Sequence, residues 1–469
     1  MIKDHCDVAI VGAGPAGLTA AHELAVKTDL SVYLIERGGR ASARSCNLVE
    51  AGDCTHCKEC HIVNGVAGSG MYSDGKLCLS NQVGERLKGV TDRFTPAVVR
   101  EIGSFLGNEA EEKTESVKEI DSIRKLAREA GLGVEFYPVR AIPHRRSTAF
   151  ISGLEKRLSK EGVALITGTE VTDFRRNKSG DWRLSVEKDG TSHIVSCRFL
   201  LLGVGKAGAG WLLDRARGLG IRPRPAPFYF GARVETKRHI LKRLTNISYN
   251  PKLYSGRKGA KYIKTHCFAE GGVVISYIYN ETRVVGGFTD DTDNTSFSIL
   301  SEYHPPKHHS SFEYSSWLCR LFNKIGDGRA ILQRLGDFRR SRATQRIAME
   351  TNSVQPTLKE YALSDMSPFF PSGFKHSLAE FVGKLGHICP DLSNDSTLIY
   401  GPSSEWIVDK IPLNDYMETT QKNLYIIGDG SGATQGIVAA AATGLIAAID
   451  ISRKSRANQD SSHKKTENC

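Results

Sequence analysis

The first 36 residues follow a pattern of apolar runs separated by glycine-rich and polar turns. Residues 8–11 form an apolar run that ends in a glycine-rich turn, residues 16–26 are typical of a helix, and residues 32–35 form a second apolar run. Short apolar runs flanked by turn residues are typical of buried strands. The order strand, helix, strand predicts a βαβ unit.

Three glycines and one carboxylate give this unit a specific chemistry. Gly12 allows the tight turn out of the first strand, Gly14 allows the backbone to approach a pyrophosphate, and Gly17 allows the helix to pack on the sheet. Glu36 ends the second strand, where a carboxylate can accept hydrogen bonds from the hydroxyls of an adenosine ribose. Because a helix N-terminus favours a pyrophosphate, the unit predicts a bound dinucleotide.

The remaining pattern predicts further elements. Apolar positions three and four residues apart indicate helices within residues 96–131. Alternating runs at residues 182–186 and 193–195 predict a hairpin, and short runs over residues 229–293 predict an antiparallel sheet. Residues 423–445 combine a strand, a glycine turn and an alanine-rich helix. The first domain is therefore expected to close with C-terminal sequence.

A second glycine pattern follows the apolar run at residues 199–202. Gly203, Gly205 and Gly208 have the spacing of a second dinucleotide fingerprint. However, no strand with an acidic end follows at the right distance, and prolines interrupt the sequence instead. We interpret the pattern as a strand and turn inside the first domain, with a separate nicotinamide domain as the alternative.

Length and charge narrow the class of protein. A chain of 469 residues exceeds the roughly 250 to 300 residues of a single core, so two or three lobes are expected. No apolar run approaches the roughly 20 residues of a membrane span, and no signal-peptide pattern precedes the first strand, so we expect a cytoplasmic protein. The net charge of +11 is spread along the chain, which does not favour nucleic acid. The polar, basic residues 452–469 predict a disordered tail.

One dense basic cluster lies outside this tail. It consists of Arg339, Arg340, Arg342 and Arg346. Such a cluster is typical of a solvated face, and the alternative is an anchor for an anionic substrate or cofactor.

Three segments resemble a known family. The βαβ unit, the run Gly68-Ser-Gly-Met-Tyr-Ser-Asp-Gly-Lys76 and the turn Ile427-Gly-Asp-Gly430 with its helix resemble the uncharacterised FAD-dependent dehydrogenase family. The wider relatives are two-domain flavoproteins with an FAD lobe similar to that of glutathione reductase. The middle of the chain resembles the family more loosely. Residues 401–406 depart from the family pattern, so the wall that faces the substrate is expected to differ.

The resemblance implies FAD as the dinucleotide and assigns residues to it. Asp429 is expected at the ribityl chain or pyrophosphate, and the helix N-terminus at Gly436 and Ile437 at the flavin pyrimidine ring. The backbone of Val171 is expected against adenine. The remaining predicted cofactor contacts are Arg37, Gly70 and Gly428. NAD(P)H is a further candidate, as a transient electron donor.

A group of cysteines precedes the glycine-rich run. Cys46, Cys54, Cys57 and Cys60 lie close together in the sequence. Their spacing fits three alternatives, namely an iron–sulfur cluster, a zinc site, or free or redox-active thiols beside the flavin. Free thiols are favoured, because the neighbouring glycine loop suits approach of the backbone to the flavin ring.

The expected fold class is α/β, with a Rossmann-like FAD-binding domain and an inserted β-rich substrate domain. The FAD-binding domain is expected in three parts, residues 1–83, 146–228 and 396–451. The other parts are a helical insertion over residues 84–145, the substrate domain over residues 229–395 and the tail over residues 452–469.

No catalytic triad or carboxylate pair stands out. The acid–base candidates are Tyr72, Asp74, Lys76, His266 and Cys267. The predicted function is hydride transfer between flavin N5 and a C–C or C–N bond of a small metabolite, with an external electron donor or acceptor. The alternatives are a tRNA-modifying flavoprotein, an iron–sulfur flavoprotein in electron transfer, and a non-catalytic sensor or scaffold that retains FAD.

Overall fold

The computed structural model describes residues 3–50, 54–55, 57–80, 96–107, 111–113, 117–279, 281–405 and 408–466. The strands are β1 His5–Val11, β2 Val32–Ile35, β3 Leu77–Cys78, β4 Glu111–Glu112, β5 Gly133–Glu135, β6 Val139–Ala141, β7 Ala164–Ile166, β8 Thr169–Arg176, β9 Trp182–Lys188, β10 Thr191–Leu202, β11 Phe228–Lys237, β12 Lys252–Arg257, β13 Ala260–Ala269, β14 Val273–Tyr279, β15 Thr282–Phe288, β16 Asn294–Tyr303, β17 Ala330–Arg334, β18 Tyr361–Leu363, β19 Leu398–Glu405 and β20 Leu424–Ile426. The helices are α1 Pro15–Lys27, α2 Asn47–Glu50, α3 Pro96–Gly107, α4 Val117–Glu129, α5 His144–Lys160, α6 Ala209–Gly218, α7 Arg238–Thr245, α8 Ser311–Ile325, α9 Leu335–Arg339, α10 Arg346–Glu350, α11 Phe374–Gly386 and α12 Ile437–Thr466.

The first sheet contains the N-terminal βαβ unit. Its order is β7-β2-β1-β10-β9-β8, with β20 also beside β10. Strand β1 is parallel to β2 and β10, and β10 is parallel to β20. The apolar run at residues 199–202 lies in β10, so its interpretation as a strand of the first domain is confirmed. The predicted hairpin is also confirmed, because β9 and β10 pair antiparallel.

Helices α1 and α12 lie directly against each other. A Cβ atom at Gly444 would lie 2.0 Å from the Ala16 carbonyl oxygen, and one at Gly428 would lie 3.1 Å from Ala16 Cβ. Only glycine therefore allows this approach at residue 444. Together, β20 and α12 bring C-terminal sequence into the first domain, as expected from the pattern of residues 423–445.

The second sheet is larger and mainly antiparallel. Its order is β18-β17-β19-β11-β16-β13-β12-β5, and β14 pairs with β15 as a separate hairpin. Strand β11 pairs with β16 along all of its 10 residues. The antiparallel sheet predicted over residues 229–293 is therefore present.

Two segments correct the expected division of the chain. Strand β19 was expected in the FAD-binding part 396–451, but it lies in the second sheet between β17 and β11. The expected helical insertion 84–145 contains α3 and α4, but its strand β5 pairs with β12 of the second sheet. Sheet order depends on partners that are distant in sequence, which a local pattern does not show. Residues 84–95, 108–110 and 114–116 lie outside the described part of the chain.

The expected disordered tail over residues 452–469 is wrong as far as Thr466, because α12 continues to that residue. Two of its basic residues contact other elements. Arg453 Nη1 donates to Tyr416 Oη at 2.5 Å. Lys454 Nζ donates to Tyr425 Oη at 2.7 Å and lies 2.8 Å from the Asp450 carboxylate. The last three residues lie outside the described part. None of the described helices combines the length and apolar character needed to cross a membrane.

Candidate active site

An open cleft lies between the glycine turns of the first sheet and strands β13, β14 and β15. Its volume, counted to the open mouth, is about 2130 Å³. All of the predicted cofactor contacts border it except Gly17, which lies behind the turn.

The first glycine turn has the predicted local structure. Gly12 has a φ of +101°, and a Cβ atom there would lie 2.3 Å from the Gly203 carbonyl oxygen. A Cβ atom at Gly17 would lie 2.0 Å from the Gly12 carbonyl oxygen. A Cβ atom at Gly14 would meet nothing within 4 Å, since this side of the turn faces the cleft. The N-terminus of α1 is therefore open to an anion.

Glu36 has a structural role beyond the one predicted. Its buried carboxylate accepts hydrogen bonds from the backbone N–H groups of Ala13 at 2.9 Å, Gly38 at 2.9 Å and Gly65 at 3.0 Å. These bonds join three loops at one end of the cleft. A carboxylate has about four acceptor positions, so one remains for a ligand hydroxyl.

Asp429 borders the same cleft and holds the turn that leads into α12. One carboxylate oxygen accepts from Thr434 Oγ1 at 3.0 Å, and the other accepts from Gly436 N at 3.3 Å. The second oxygen also lies 3.4 Å from Lys206 Nζ, a cleft residue that the sequence analysis missed. A lysine inside the glycine turn after β10 was a signal for it. Gly436 has a φ of +96° and leads into α12 at Ile437.

The other predicted cofactor contacts also border the cleft. The Arg37 guanidinium donates to Asn64 Oδ1 at 2.7 Å and lies 3.1 Å from the Glu59 carboxylate. A Cβ atom at Gly70 would lie 3.3 Å from Ile437 Cδ1. Val171 lies in β8 next to a register shift, with its backbone beside the cleft.

Asp74 and Lys76 fasten the glycine loop to the second sheet. The buried Asp74 carboxylate accepts from Thr289 N at 2.7 Å, from Thr289 Oγ1 at 2.9 Å and from Lys76 Nζ at 3.0 Å. Lys76 Nζ also donates to the Phe268 carbonyl oxygen. Burial disfavours the Lys76 ammonium, but the Asp74 carboxylate outweighs it and raises the pKa of Lys76. Asp74 does not border the cleft itself, so it acts by positioning Lys76, which does.

Alanine in place of Asp74 is expected to lower the free energy of unfolding by about 3–5 kcal/mol, because the buried Lys76 ammonium loses its counter-ion. Chemical denaturation measures this change. The matched control is Asp214→Ala, since Asp214 is 75% exposed and pairs only at the surface with Arg217. Exposed pairs contribute about 0–1 kcal/mol. Equal stability of the two variants would contradict the assignment.

Tyr72 is buried beside the cleft. Its hydroxyl donates to the Arg44 carbonyl oxygen at 3.1 Å, and its ring packs 4.7 Å from the His144 ring. Burial raises the pKa of Tyr72 to about 12, because it outweighs the Arg44 guanidinium, which lowers the pKa. The phenol therefore stays protonated at neutral pH, and its proton is engaged by the backbone.

His266 is the predicted acid–base candidate with the most open position. About a third of its side chain (34%) is exposed, and Nδ1 lies 3.9 Å from the Glu405 carboxylate. Glu405 also lies 2.5 Å from Lys264 Nζ. Enclosure in the cleft disfavours the charged imidazolium and is the largest effect on the pKa of His266. Glu405 opposes this effect, while Lys264, Lys206 and Lys76 add to it. The net result lowers the pKa of His266 to about 4. The imidazole is therefore neutral at physiological pH and can accept a proton.

Two tyrosines of β14 were missed by the sequence analysis. Tyr277 and Tyr279 both border the cleft, with ring centroids 5.7 Å apart. A Cβ atom at Gly286 would lie 2.7 Å from the Tyr277 ring, so this glycine makes room for it. Burial raises the pKa of Tyr277, which keeps its hydroxyl protonated.

The cysteine loop shows no assembled metal site among the described residues. Cys46, Cys54, Cys57 and Cys60 are free thiols, and Cys57 is exposed. His61, next to this loop, has Nδ1 at 2.7 Å from the Ser45 carbonyl oxygen. Within the described ranges, no group of three or more His, Cys, Asp or Glu side chains is arranged to hold a metal ion. His56 and residues 51–53 lie outside those ranges, and the three alternatives stay predictions.

The arginine cluster lies away from the cleft. Arg340 lies 2.8 Å and Arg339 3.6 Å from the Asp395 carboxylate, while Arg342 lies 2.8 Å from that of Asp337. The fourth member, Arg346, is 91% exposed and lies 3.7 Å from the Glu350 carboxylate. Carboxylates of the protein therefore neutralise this cluster, and its role as an anion anchor stays a prediction.

The residues that border the cleft fit FAD. A side chain at Gly14 or Gly436 would meet no protein atom within 4 Å, so both glycines leave open space at a helix N-terminus. The N-terminus of α1 can hold the pyrophosphate, and that of α12 can face the flavin. Glu36 and Val171 border the same cleft.

The chain is similar to several solved structures at low sequence identity. Glycine oxidase from Geobacillus kaustophilus has 13% sequence identity and a TM-score of 0.41, over 96% of this chain and 95% of that chain. L-proline dehydrogenase from P. horikoshii has 15% identity and a TM-score of 0.41, over 97% of this chain and 95% of that chain. A flavoprotein/dehydrogenase from Cytophaga hutchinsonii has 11% identity and a TM-score of 0.41, over 97% of this chain and 79% of that chain.

Comparison with curated proteins finds no match. Comparison with protein families finds a match over nearly the whole chain. The family is described as DAO, FAD dependent oxidoreductase, and the match covers residues 7–448. The chain therefore belongs to the DAO family of FAD-dependent oxidoreductases, and FAD is its cofactor.

Proposed function

We propose that this enzyme transfers hydride between N5 of FAD and a C–C or C–N bond of a small metabolite. One observation carries the proposal: the neutral imidazole of His266 borders the same cleft as the open N-terminus of α12. When bound, FAD supplies the centre that takes or gives the hydride. The protein then has to bind the substrate, receive its proton and stabilise developing charge.

Two groups of this chain meet these needs. His266 accepts the proton that a substrate N–H or C–H loses as its hydride departs. The N-terminus of α12 carries a partial positive charge, which stabilises negative charge that develops at the pyrimidine end of a flavin. Lys206 and Lys76 add cationic groups to the cleft, and their partners Asp429 and Asp74 keep them in place.

We also propose a division of the chain into an FAD domain and a substrate domain. The second sheet and the β14–β15 hairpin form the inserted substrate domain, and the first sheet forms the Rossmann-like FAD domain, similar in its FAD lobe to glutathione reductase. The enzyme acts in the cytoplasm and exchanges electrons with an external donor or acceptor. The resemblance to the uncharacterised FAD-dependent dehydrogenase family supports this assignment.

Purification followed by absorbance and mass spectrometry tests the first step. We expect a yellow protein that releases FAD on denaturation. The second step is anaerobic mixing with panels of amines, amino acids and saturated acyl compounds, with flavin absorbance as the readout. We expect bleaching by a compound that carries an oxidisable C–C or C–N bond. If dithionite or light bleaches the flavin but no compound of these three classes does, the proposed reaction is overturned.

The rate of flavin reduction is expected to depend on pH through His266. Its pKa of about 4 means that the imidazole can accept a proton above this pH and loses that ability as the pH falls through it. The rate should therefore fall as the pH drops from about 5 to about 3. Stopped-flow measurement of bleaching checks the profile. A His266→Asn variant should lack this limb, and a limb that persists in the variant belongs to another group.

A further inference from the structure

Two cysteines that the proposed mechanism does not use border the cleft. Cys78 lies in β3, directly after the glycine-rich loop, and Cys267 lies in β13 of the second sheet. Both are free thiols and both are partly exposed. The cleft therefore receives one thiol from each of two different sheets.

The backbone at Cys267 has an uncommon conformation. Its φ is +55°, and the pairing of β13 with β16 shifts register between His266 and Ala269. Such a conformation costs about 1–3 kcal/mol in a residue other than glycine, so the surrounding structure must hold it. Arg233 Nη2 donates to the Cys267 carbonyl oxygen at 3.3 Å, and Lys76 Nζ donates to the carbonyl oxygen of the next residue, Phe268. Two buried cations thus fix the bulge that carries the thiol.

The same lysine links the two segments that carry the cysteines. Lys76 precedes Cys78 by two residues, and its ammonium donates to the carbonyl oxygen of Phe268, the residue after Cys267. Burial raises the pKa of Cys78 to about 11, while Lys76 and a hydrogen bond with Tyr137 oppose this and Cys267 adds to it. Asn250 Nδ2 in turn donates to Tyr137 Oη at 2.9 Å. Each thiol therefore acts on the ionisation of the same small group of residues.

We propose that Cys78 and Cys267 form a redox-active dithiol that exchanges two electrons with FAD. The inference rests on the proposed position of the flavin in this cleft. In the oxidative direction, two S–H bonds break and one S–S bond forms, which releases two electrons and two protons. FAD takes up both electrons and both protons and becomes FADH2. The thiolate of a low-molecular-weight thiol can then attack the Cys78–Cys267 disulfide, and a second such thiol completes the exchange, which restores both protein thiols and releases one low-molecular-weight disulfide.

Mass spectrometry of the holoenzyme tests the pair in both directions. In the first, the thiols are fully reduced with a phosphine, the phosphine is removed without oxygen, and flavin bleaching is followed with no other reductant present. In the second, the disulfide is formed with diamide, the flavin is reduced by light, and reoxidation is followed without oxygen. Rapid alkylation and peptide mapping then count the thiols.

In at least one direction we expect the flavin to change with the loss or gain of one Cys78–Cys267 disulfide per FAD. Cys78→Ser and Cys267→Ser should each abolish the exchange, while Cys389→Ala, at a thiol that does not border the cleft, should leave it unchanged. The wild-type peptide map needs no variant, so misfolding of a variant does not decide the result. The inference is overturned if the bound flavin is neither reduced by the dithiol nor reoxidised by the disulfide, and both cysteines are found alkylated. A protein without flavin overturns the proposed function instead, and the electron transfer with it.

Discussion

Aspartate in place of Gly14 is expected to abolish FAD binding and leave the fold intact. A Cβ atom at this position meets nothing within 4 Å, so the new side chain has room. Its carboxylate would occupy the N-terminus of α1, where the pyrophosphate is expected. Two like charges about 4 Å apart repel by about 4 kcal/mol at an effective dielectric constant of 20, which is roughly a thousandfold in affinity.

Titration of the apoprotein with FAD, followed by fluorescence, measures this loss. Circular dichroism and a thermal melt report on the fold. The matched control is Gly153→Asp, because Gly153 lies on the exposed side of α5 and has no atom within 4 Å of a Cβ position. It adds the same charge far from the turn. Equal FAD affinity in the two variants would show that the pyrophosphate binds elsewhere.

Asparagine in place of His266 is expected to slow flavin reduction by substrate about 10²- to 10⁴-fold, the range typical of a lost general base. Asparagine keeps a polar side chain of similar size but cannot take up a proton. The flavin spectrum and the thermal stability should change little, because His266 is a third exposed (34%) and its Nδ1 lies 3.9 Å from the Glu405 carboxylate, beyond hydrogen-bonding distance.

Anaerobic stopped-flow with the substrate found in the panel measures this rate. His387→Asn is the control, since His387 is exposed after α11 and lies outside the cleft. A His266→Asn variant that reduces its flavin at the wild-type rate would remove His266 from catalysis. The bleaching of both proteins by light separates a slow reaction from a damaged flavin.

The glycine turn was predictable because its requirements are local. The φ of +101° at Gly12 and the 2.0 Å approach of a Gly17 Cβ to the Gly12 carbonyl oxygen follow from neighbours within a few residues. The spacing of the glycines within the predicted order of strand, helix and strand therefore identified these positions. The same holds for the turn at Asp429, whose carboxylate partners Thr434 and Gly436 follow closely in the chain.

The polar wall around His266 was not predictable in the same way. Glu405 reaches it from β19, which is separated from β13 in sequence by most of the second sheet. The departure of residues 401–406 from the family pattern indicated only that this wall differs. The sequence also gives no sign of the bulge at Cys267, since a cysteine has no preference for a positive φ.

Composition did not predict the partners that charged residues find elsewhere in the chain. The polar tail was expected to be disordered, but Lys454 bonds to Tyr425 and the helix continues. In the basic cluster, Arg340 bonds to Asp395, a residue 55 positions further along the chain, and the role of this cluster as an anion anchor stays a prediction. Composition gives the number of charges but not their pairing, which depends on tertiary contacts.

The bonds of Asp74 with Thr289 and of Lys76 with Phe268 have a consequence for how molecules enter. They tie the glycine-rich loop to β13 and to the turn after β15. Widening the cleft at this rim would break hydrogen bonds of a buried carboxylate and a buried ammonium, which is costly. A molecule that enters on this side therefore meets a boundary that these bonds hold in place.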